Sequence, residues 1–281
     1  MTVVEAVRLL RRDPAHASRM HDAYITGDLR SDAQRFRASV EFAETLRLLG
    51  GDLAGRIVLD VGAGTGIASY AFASVGARVY ALEPDPGGDL GRGAIAVVTA
   101  DLDVEILAGV GETIPLGDAA ADVVYARQVL HHAEDLPRLI RECARVLQPG
   151  GVLLACREHV VDDDEQLQEF LASHPVHQLA GGEHARPLRG YVTSITEAGL
   201  RLERTLGPLD SVINAFPAFR SEDELRRYPR ALLTAKLGRL GALLGRVPAV
   251  QTLVRRRIGR LAPPGRLYSF LATKPVARTP R

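Results

Sequence analysis

The sequence predicts an α/β fold built on a doubly wound, seven-stranded, mostly parallel sheet. Three observations predict it: short apolar runs recur from residue 56 onward, amphipathic segments separate them, and a glycine-rich turn joins the first run to the first segment. Short apolar runs suit strands buried on both faces. Their alternation with helical segments suits parallel crossovers.

Residues 3–49 read as helices: VVEAVRLLRR first, then, after Gly27 and Asp28, QRFRASVEFAETLRLLG with apolar positions at helical spacing. Gly50 and Gly51 end that stretch. The expected strands are 56–61, 77–83, 104–110, 122–127, 151–156, 200–206 and 266–274, and the clearest helices between them are 66–76, 135–147 and 164–173. The implied organisation is an N-terminal helical lid over 1–50, a sheet domain over 51–219 and 264–276, and a basic helical insertion over 220–263. Residues 220–266 hold twelve Arg or Lys against Glu222, Asp223 and Glu224, a balance of +9 in a chain whose total is +1. That segment reads either as a cap with a solvated basic face or as a peripheral contact for a membrane surface or an anionic substrate.

Composition narrows the class. Of 281 residues, 46% are hydrophobic and 25% charged, enough to bury a sizeable core. A net charge of +1 gives no general basic surface, so no nucleic-acid partner is expected. Cys143 and Cys156 sit in apolar surroundings without CxxC spacing, which fits a reducing cytoplasm and no disulfide framework. The N-terminal stretch lacks the apolar core and cleavage site of a signal peptide. No run approaches the ~20 apolar residues that span a bilayer.

The strongest local signal is VLDVGAGTG, where a strand ends in Gly62, Ala63, Gly64 and Gly66 and a helix follows. Glycines there let a ligand lie against the backbone, and the helix N-terminus offers free N–H groups. Seventeen residues after Gly66 comes Glu83, whose carboxylate can accept the two ribose hydroxyls of an adenosine. Dinucleotide enzymes space their glycines G-x-G-x-x-G. Here the spacing is G-x-G-x-G, with Asp60 two positions before the first glycine. A carboxylate at that point suits a ligand with a cationic amino group, such as a methionine moiety, and suits a pyrophosphate poorly.

Four blocks in order, VLDVGAGTG, VYALEPDP, GETIPLGDAAADVVYARQVLHHAEDL and LIRECARVLQPGG, resemble the class I S-adenosylmethionine-dependent methyltransferases. The resemblance is particularly to the ubiquinone/menaquinone-methyltransferase-like group. The resemblance covers roughly residues 46–151 and the final strand, and implies a Rossmann-like methyltransferase fold that takes S-adenosylmethionine and yields S-adenosylhomocysteine. It implies that Asp60, Gly62, Ala63, Gly64 and Gly66 bind the methionine and ribose portion and that Glu83 holds the ribose. Pro84 and Asp85 would wall the adenine, Gly111 and Glu112 contact its edge, and Arg127 and Gln128 line the cofactor near the sulfonium. The N-terminal helices would cover the cofactor, with Tyr24, Arg30 and Arg35 closing over it. Two departures stand out: Val110 occupies a place where relatives carry an Asp, and the glycine-rich PDPGGDLGRG implies a short or shifted helix after Glu83.

The chemistry expected is methyl transfer to a small molecule, with a hydroxyl of a metabolite, sugar or lipid-like precursor as acceptor. A hydroxyl needs a base, and His titrates near neutrality. Candidates are His131 and His132 beyond the fourth strand, Glu158 and His159 beyond the fifth, and His184 in the loop Gly181–Ala185. His174 and His177 lie just upstream of that loop. His159, His177, Glu183 and His184 are metal-ligand types, but their spacing matches no compact motif, and no metal is expected. Two other readings remain: an NAD(P)-dependent oxidoreductase, and a non-catalytic S-adenosylmethionine-binding module.

Overall fold

The strands pair in the order β3-β2-β1-β4-β5-β7-β6 in one sheet. They are β1 (Ile57–Val61), β2 (Arg78–Leu82), β3 (Val104–Leu107), β4 (Ala121–Arg127), β5 (Leu147–Val160), β6 (Arg201–Leu206) and β7 (Arg266–Thr273). Only β7 runs against its neighbours β5 and β6; the remaining pairs are parallel. The computed structural model describes residues 3–173, 175–180, 183–261 and 263–276, with the side chains of 3, 175, 177 and 260 excluded. The seven expected strands are all present. The order reverses between β1 and β4, the crevice where open α/β sheets bind ligands.

β5 is longer than its apolar run predicts, because β7 pairs with Glu158, His159 and Val160 beyond the point where β4 ends. The register shifts between Ala155 and Glu158, and Arg157 there takes φ 60°. An irregularity of this kind re-aims the side chains that follow it. It sets the orientation of two residues the sequence singled out.

The helices are α1 (Val3–Arg12), α2 (Ala17–Asp22), α3 (Leu29–Arg37), α4 (Val40–Leu48), α5 (Ile67–Ala73), α6 (Arg92–Val98) and α7 (Leu136–Val146). After them come α8 (Asp164–Ser173), α9 (Pro175–Ala180), α10 (Leu188–Glu197), α11 (Val212–Ala215), α12 (Glu222–Leu244) and α13 (Pro248–Arg260). The helix expected over 34–49 is in fact two. Ser39 interrupts it, its hydroxyl accepting the N–H of Phe42 at 3.1 Å as the cap of α4. α6 begins only at Arg92, the shortening that the glycines after Glu83 imply.

Each face of the sheet has its own core. On one, Leu136, Leu139, Ile140 and Cys143 of α7 and Tyr191 of α10 cover Leu59, Val61, Val124 and Leu153. On the other, α5 is joined by α3 and α4, and Phe36, Phe42, Phe72 and Tyr125 form a chain of rings 5.0–5.7 Å apart. Phe36 and Phe42 are fully buried, worth about 1.5–3 kcal/mol each. The N-terminal helices are therefore part of the hydrophobic layer over the sheet.

Candidate active site

At the carboxyl end of β1 the chain turns through Gly62, Gly64 and Gly66, all with positive φ of 63°, 56° and 81°. At Gly66, which caps α5, a Cβ would lie 2.9 Å from Val98 and 3.1 Å from the Cα of Ile95. At Gly64 nothing but the Gly62 carbonyl lies within 4 Å. The loop is thus closed beneath and open above, a cradle that a ligand can lie in and a side chain would fill. The N–H of Ala63 bonds to the Leu82 carbonyl at 3.0 Å, strapping the loop to β2.

Two carboxylates frame this cradle. Asp60 is 2% exposed and accepts the Ser69 hydroxyl of α5 at 2.6 Å. Burial, only partly opposed by that bond, pushes its carboxyl up to about 7. Glu83 follows β2 and accepts the N–H of Gly64 at 2.8 Å and of Asp85 at 3.0 Å. Its carboxyl is also raised by burial, against those two backbone bonds. Arg92 donates to the Glu83 carbonyl at 2.9 Å, fixing the strand end. Pro84 is exposed and Asp85 half-buried on the same rim. Gly111 packs on Leu139 and Val61, which brings the loop after β3 to the end of β1, with Glu112 half-exposed beside it.

At the end of β4 the Arg127 guanidinium is engaged within the protein. It grips Glu41 of α4 through two bonds, 2.6 and 3.1 Å long, and faces the rings of Tyr24 and Phe36 at 5.8 and 5.4 Å. Glu41 is fully buried, and Arg127 together with Arg157 holds its carboxyl below the usual range against the cost of desolvation. Arg127 also donates to the Gln128 side chain at 3.1 Å. Gln128, at φ 58°, passes its N–H to the Cys156 carbonyl, so only its half-buried side chain reaches the rim. Val129 next in line meets Gly62, where a Cβ would stand 2.7 Å from its methyl. Arg35 pairs with Asp32 and leans over Tyr24, so it too braces α3.

Beyond Val129 lies a cluster of imidazoles and carboxylates. Glu158 is fully buried, and its carboxylate is engaged within the protein. It accepts the N–H of Val129 and of His131, each at 3.2 Å, and bonds the His131 Nδ1 at 2.7 Å. It is a positioning residue. The His131 Nε2 then points toward Glu183, 3.9 Å from an oxygen of that buried carboxylate. The His132 ring lies 4.3 Å from the His131 ring and is exposed. His159 packs on His131 at 4.6 Å and bonds the Gly265 carbonyl through Nδ1 at 2.6 Å. That bond makes Nδ1 the protonated nitrogen when the ring is neutral. His184 is exposed, and its backbone N–H donates to the His131 carbonyl at 2.7 Å, which seats the loop after residue 183 on the cluster. His174, Gly181 and Gly182 lie outside the described residues, as does the His177 side chain.

The supports of this rim carry no signal in the sequence pattern. Glu41 and Arg157 are buried ions that show in a sequence only as charges on amphipathic segments. Arg157 donates to the Phe216 carbonyl at 3.1 Å, tying α11 to the sheet. In the sequence Glu183 stands with His159, His177 and His184 as a metal-ligand type; the fold sets it against His131 and His132.

Residues 59–155 match the model of a family described as "Methyltransferase domain". A Mycolicibacterium smegmatis protein named "Probable S-adenosylmethionine-dependent methyltransferase" is 33% identical over 156 residues, 55% of this chain and 55% of its own. The malonyl-[acyl-carrier protein] O-methyltransferase of Serratia marcescens is 36% identical over 115 residues, 41% of this chain and 43% of its own. The chain thus spans about half the length, or less, of the curated relatives it matches. The crystal structure of geranyl diphosphate C-methyltransferase from Streptomyces coelicolor, in complex with Mg2+, geranyl-S-thiolodiphosphate and S-adenosylhomocysteine, superposes with a TM-score of 0.54 at 14% identity. That likeness covers 83% of this chain and 76% of the other, and it shows a shared Rossmann-like methyltransferase fold. No helix among the described residues is long and apolar enough to cross a membrane.

Proposed function

We propose that the chain is an S-adenosylmethionine-dependent methyltransferase that transfers the methyl group to a hydroxyl of a small molecule in the cytoplasm. The observation that carries this reading is the cradle at Gly64, open above and flanked by Asp60 and Glu83. Asp60 meets the cationic ammonium of the methionine moiety, and Glu83 accepts the ribose diol. Gly111 and Glu112 reach the adenine edge from the loop after β3. The four motif blocks further support the ubiquinone/menaquinone-like group. When bound, S-adenosylmethionine supplies an electrophilic methyl on a sulfonium.

The protein's own contribution is alignment, exclusion of water and activation of the acceptor. Glu158 fixes the His131 ring and the backbone of the loop after β4, which itself packs on the glycine turn through Val129. His131 and His132 of that loop meet His159 of β5 and Glu183 of the loop before α10, and at this cluster an acceptor hydroxyl is relieved of its proton. Tyr24 of the N-terminal segment packs on Arg127 at the end of β4.

Isothermal titration of the purified chain with S-adenosylhomocysteine and with NADH tests the reading. Saturable binding of the nucleoside without binding of NADH is expected. Binding of NADH alone favours the oxidoreductase and overturns the proposal.

A further inference from the structure

We propose that His131, His132 and Glu183 form a divalent-cation site that holds the acceptor hydroxyl. One nitrogen from each imidazole and one oxygen of Glu183 lie within 4.8 Å of one another. Four-coordinate bonds of ~2.1 Å place neighbouring ligand atoms about 3.4 Å apart, so small side-chain rotations suffice to close the set. Two imidazoles and a carboxylate suit a cation of the zinc, cobalt or iron(II) class.

A second, independent observation is the support behind the first ligand. Metal-bound imidazoles typically carry a carboxylate on the other ring nitrogen, which fixes the tautomer and raises ligand basicity. Glu158 does this for His131 at 2.7 Å, from a fully buried position that it holds through two backbone N–H groups. His132 is exposed while His131 and Glu183 are buried, so the site is closed on the protein side and open toward a ligand. The His184 N–H, bonded to the His131 carbonyl, holds the loop carrying Glu183 in place.

The inference deepens the reading of hydroxyl methylation and rests on it. A cation at this point lowers the pKa of a bound hydroxyl. The hydroxyl proton leaves to water, the oxygen forms a bond to the methyl carbon, and the carbon–sulfur bond breaks with its electron pair on sulfur. The products are the methyl ether, S-adenosylhomocysteine and one proton.

Chelator-stripped protein titrated with Co2+ tests it, because visible absorption reports a cobalt–imidazole environment. One equivalent is expected to bind, with Glu183→Gln and His132→Ala each weakening it at least ~10-fold, while S-adenosylhomocysteine affinity stays within about twofold. Absence of a visible band, or equal Co2+ affinity in the variants, overturns the cation site. Failure of the wild type to bind the nucleoside overturns the methyltransferase reading instead, so the two failures are distinguishable.

A different surface carries a second proposal: we infer that the tip of α12 and α13 docks on an anionic lipid surface. α12 folds back at Gly238 (φ 57°, ψ −133°), so that Gly241 abuts the Leu233 carbonyl and Gly245 abuts Arg230. Leu237, Leu240 and Leu243, at and just after this bend, are 50%, 58% and 62% exposed. Val247, Leu253 and Leu261 extend the apolar surface, giving six of the ten exposed large apolar residues of the described chain. Between Leu225 and Leu261 the sequence has ten Arg or Lys and no acid, with Lys236 and Arg239 flanking the bend. Exposed leucines ringed by cations match the interface of an anionic bilayer. The segment follows Phe216, whose carbonyl accepts Arg157, and ends at Gly265, whose carbonyl bonds His159, so its two roots are tied to β5.

Sedimentation with vesicles of phosphatidylglycerol and phosphatidylcholine, against phosphatidylcholine alone, tests this. Binding to the anionic vesicles only, reduced at least ~10-fold by Leu237→Asp with Leu240→Asp, is expected, with nucleoside affinity intact. Equal binding to neutral vesicles, no binding to either, or no loss in the variant overturns it.

Discussion

Replacing Asp60 with Asn is expected to remove both affinity for S-adenosylhomocysteine and the pH dependence of that affinity. In the free protein the Asp60 carboxyl is pushed up to about 7 by burial, so it is largely protonated below that pH. An ammonium group on the ligand needs the ionised form. Binding therefore releases a proton, and affinity falls as pH drops below 7. At pH 6 only about a tenth of the carboxyl is ionised, so the apparent Kd is about tenfold weaker than the plateau above pH 8. A hydrogen bond to a charged group contributes ~1.5–3 kcal/mol, which puts the loss in Asp60→Asn at about 10- to 150-fold at pH 8. Titration calorimetry at pH 5.5, 6.5, 7.5 and 8.5 in buffers of differing ionisation heat measures both the affinity and the released proton. A wild-type affinity that is flat across this range, or an unchanged slope in Asp60→Asn, would refute the assignment of Asp60 to the ammonium.

The same carboxyl bears on stability. Its folded pKa lies above the unfolded value of 3.8, so its contribution is greatest below pH ~4 and is lost as pH rises through about 7. Chemical denaturation should accordingly show Asp60→Asn gaining a few kcal/mol on the wild type between pH ~4 and 8. Glu41→Gln leaves the buried Arg127 cation without its counter-ion and is expected to destabilise by ~3–5 kcal/mol, read as a fall in urea midpoint. Pairing it with Arg127→Met should recover much of that loss. Gly66→Ala combines a positive φ with a 2.9 Å contact and should cost ~2–4 kcal/mol, whereas Gly50→Ala, with φ 96° and nothing within 4 Å, should cost ~1–2 kcal/mol. Thermal melts of the two variants separate overpacking from backbone strain.

The strand set and the glycine turn were legible because they are local. Val58, Leu59 and Val61 read as a buried strand whatever surrounds them, and Gly62, Gly64 and Gly66 announce the turn by backbone conformation alone. Residue roles that depend on partners far along the chain were not legible. Arg127 sits where a cofactor-lining residue belongs, yet a glutamate 86 residues earlier captures its guanidinium. Glu158 falls at the right rim, but the register shift after Ala155 turns it inward onto His131. The meeting of Glu183 with His131 and His132 depends on the loop before α10 folding back onto the turn after β4, which no spacing rule encodes.

The pairing of Arg127 with Glu41 makes the sheet dependent on the segment before it. A fragment starting at Asp52 would leave a guanidinium stranded at the end of β4 and would bare Phe72 and Val79 to solvent. Such a fragment would be expressed as aggregate. Exchange of acceptor-side elements between related chains would accordingly succeed only when the first fifty residues travel with the sheet they cover.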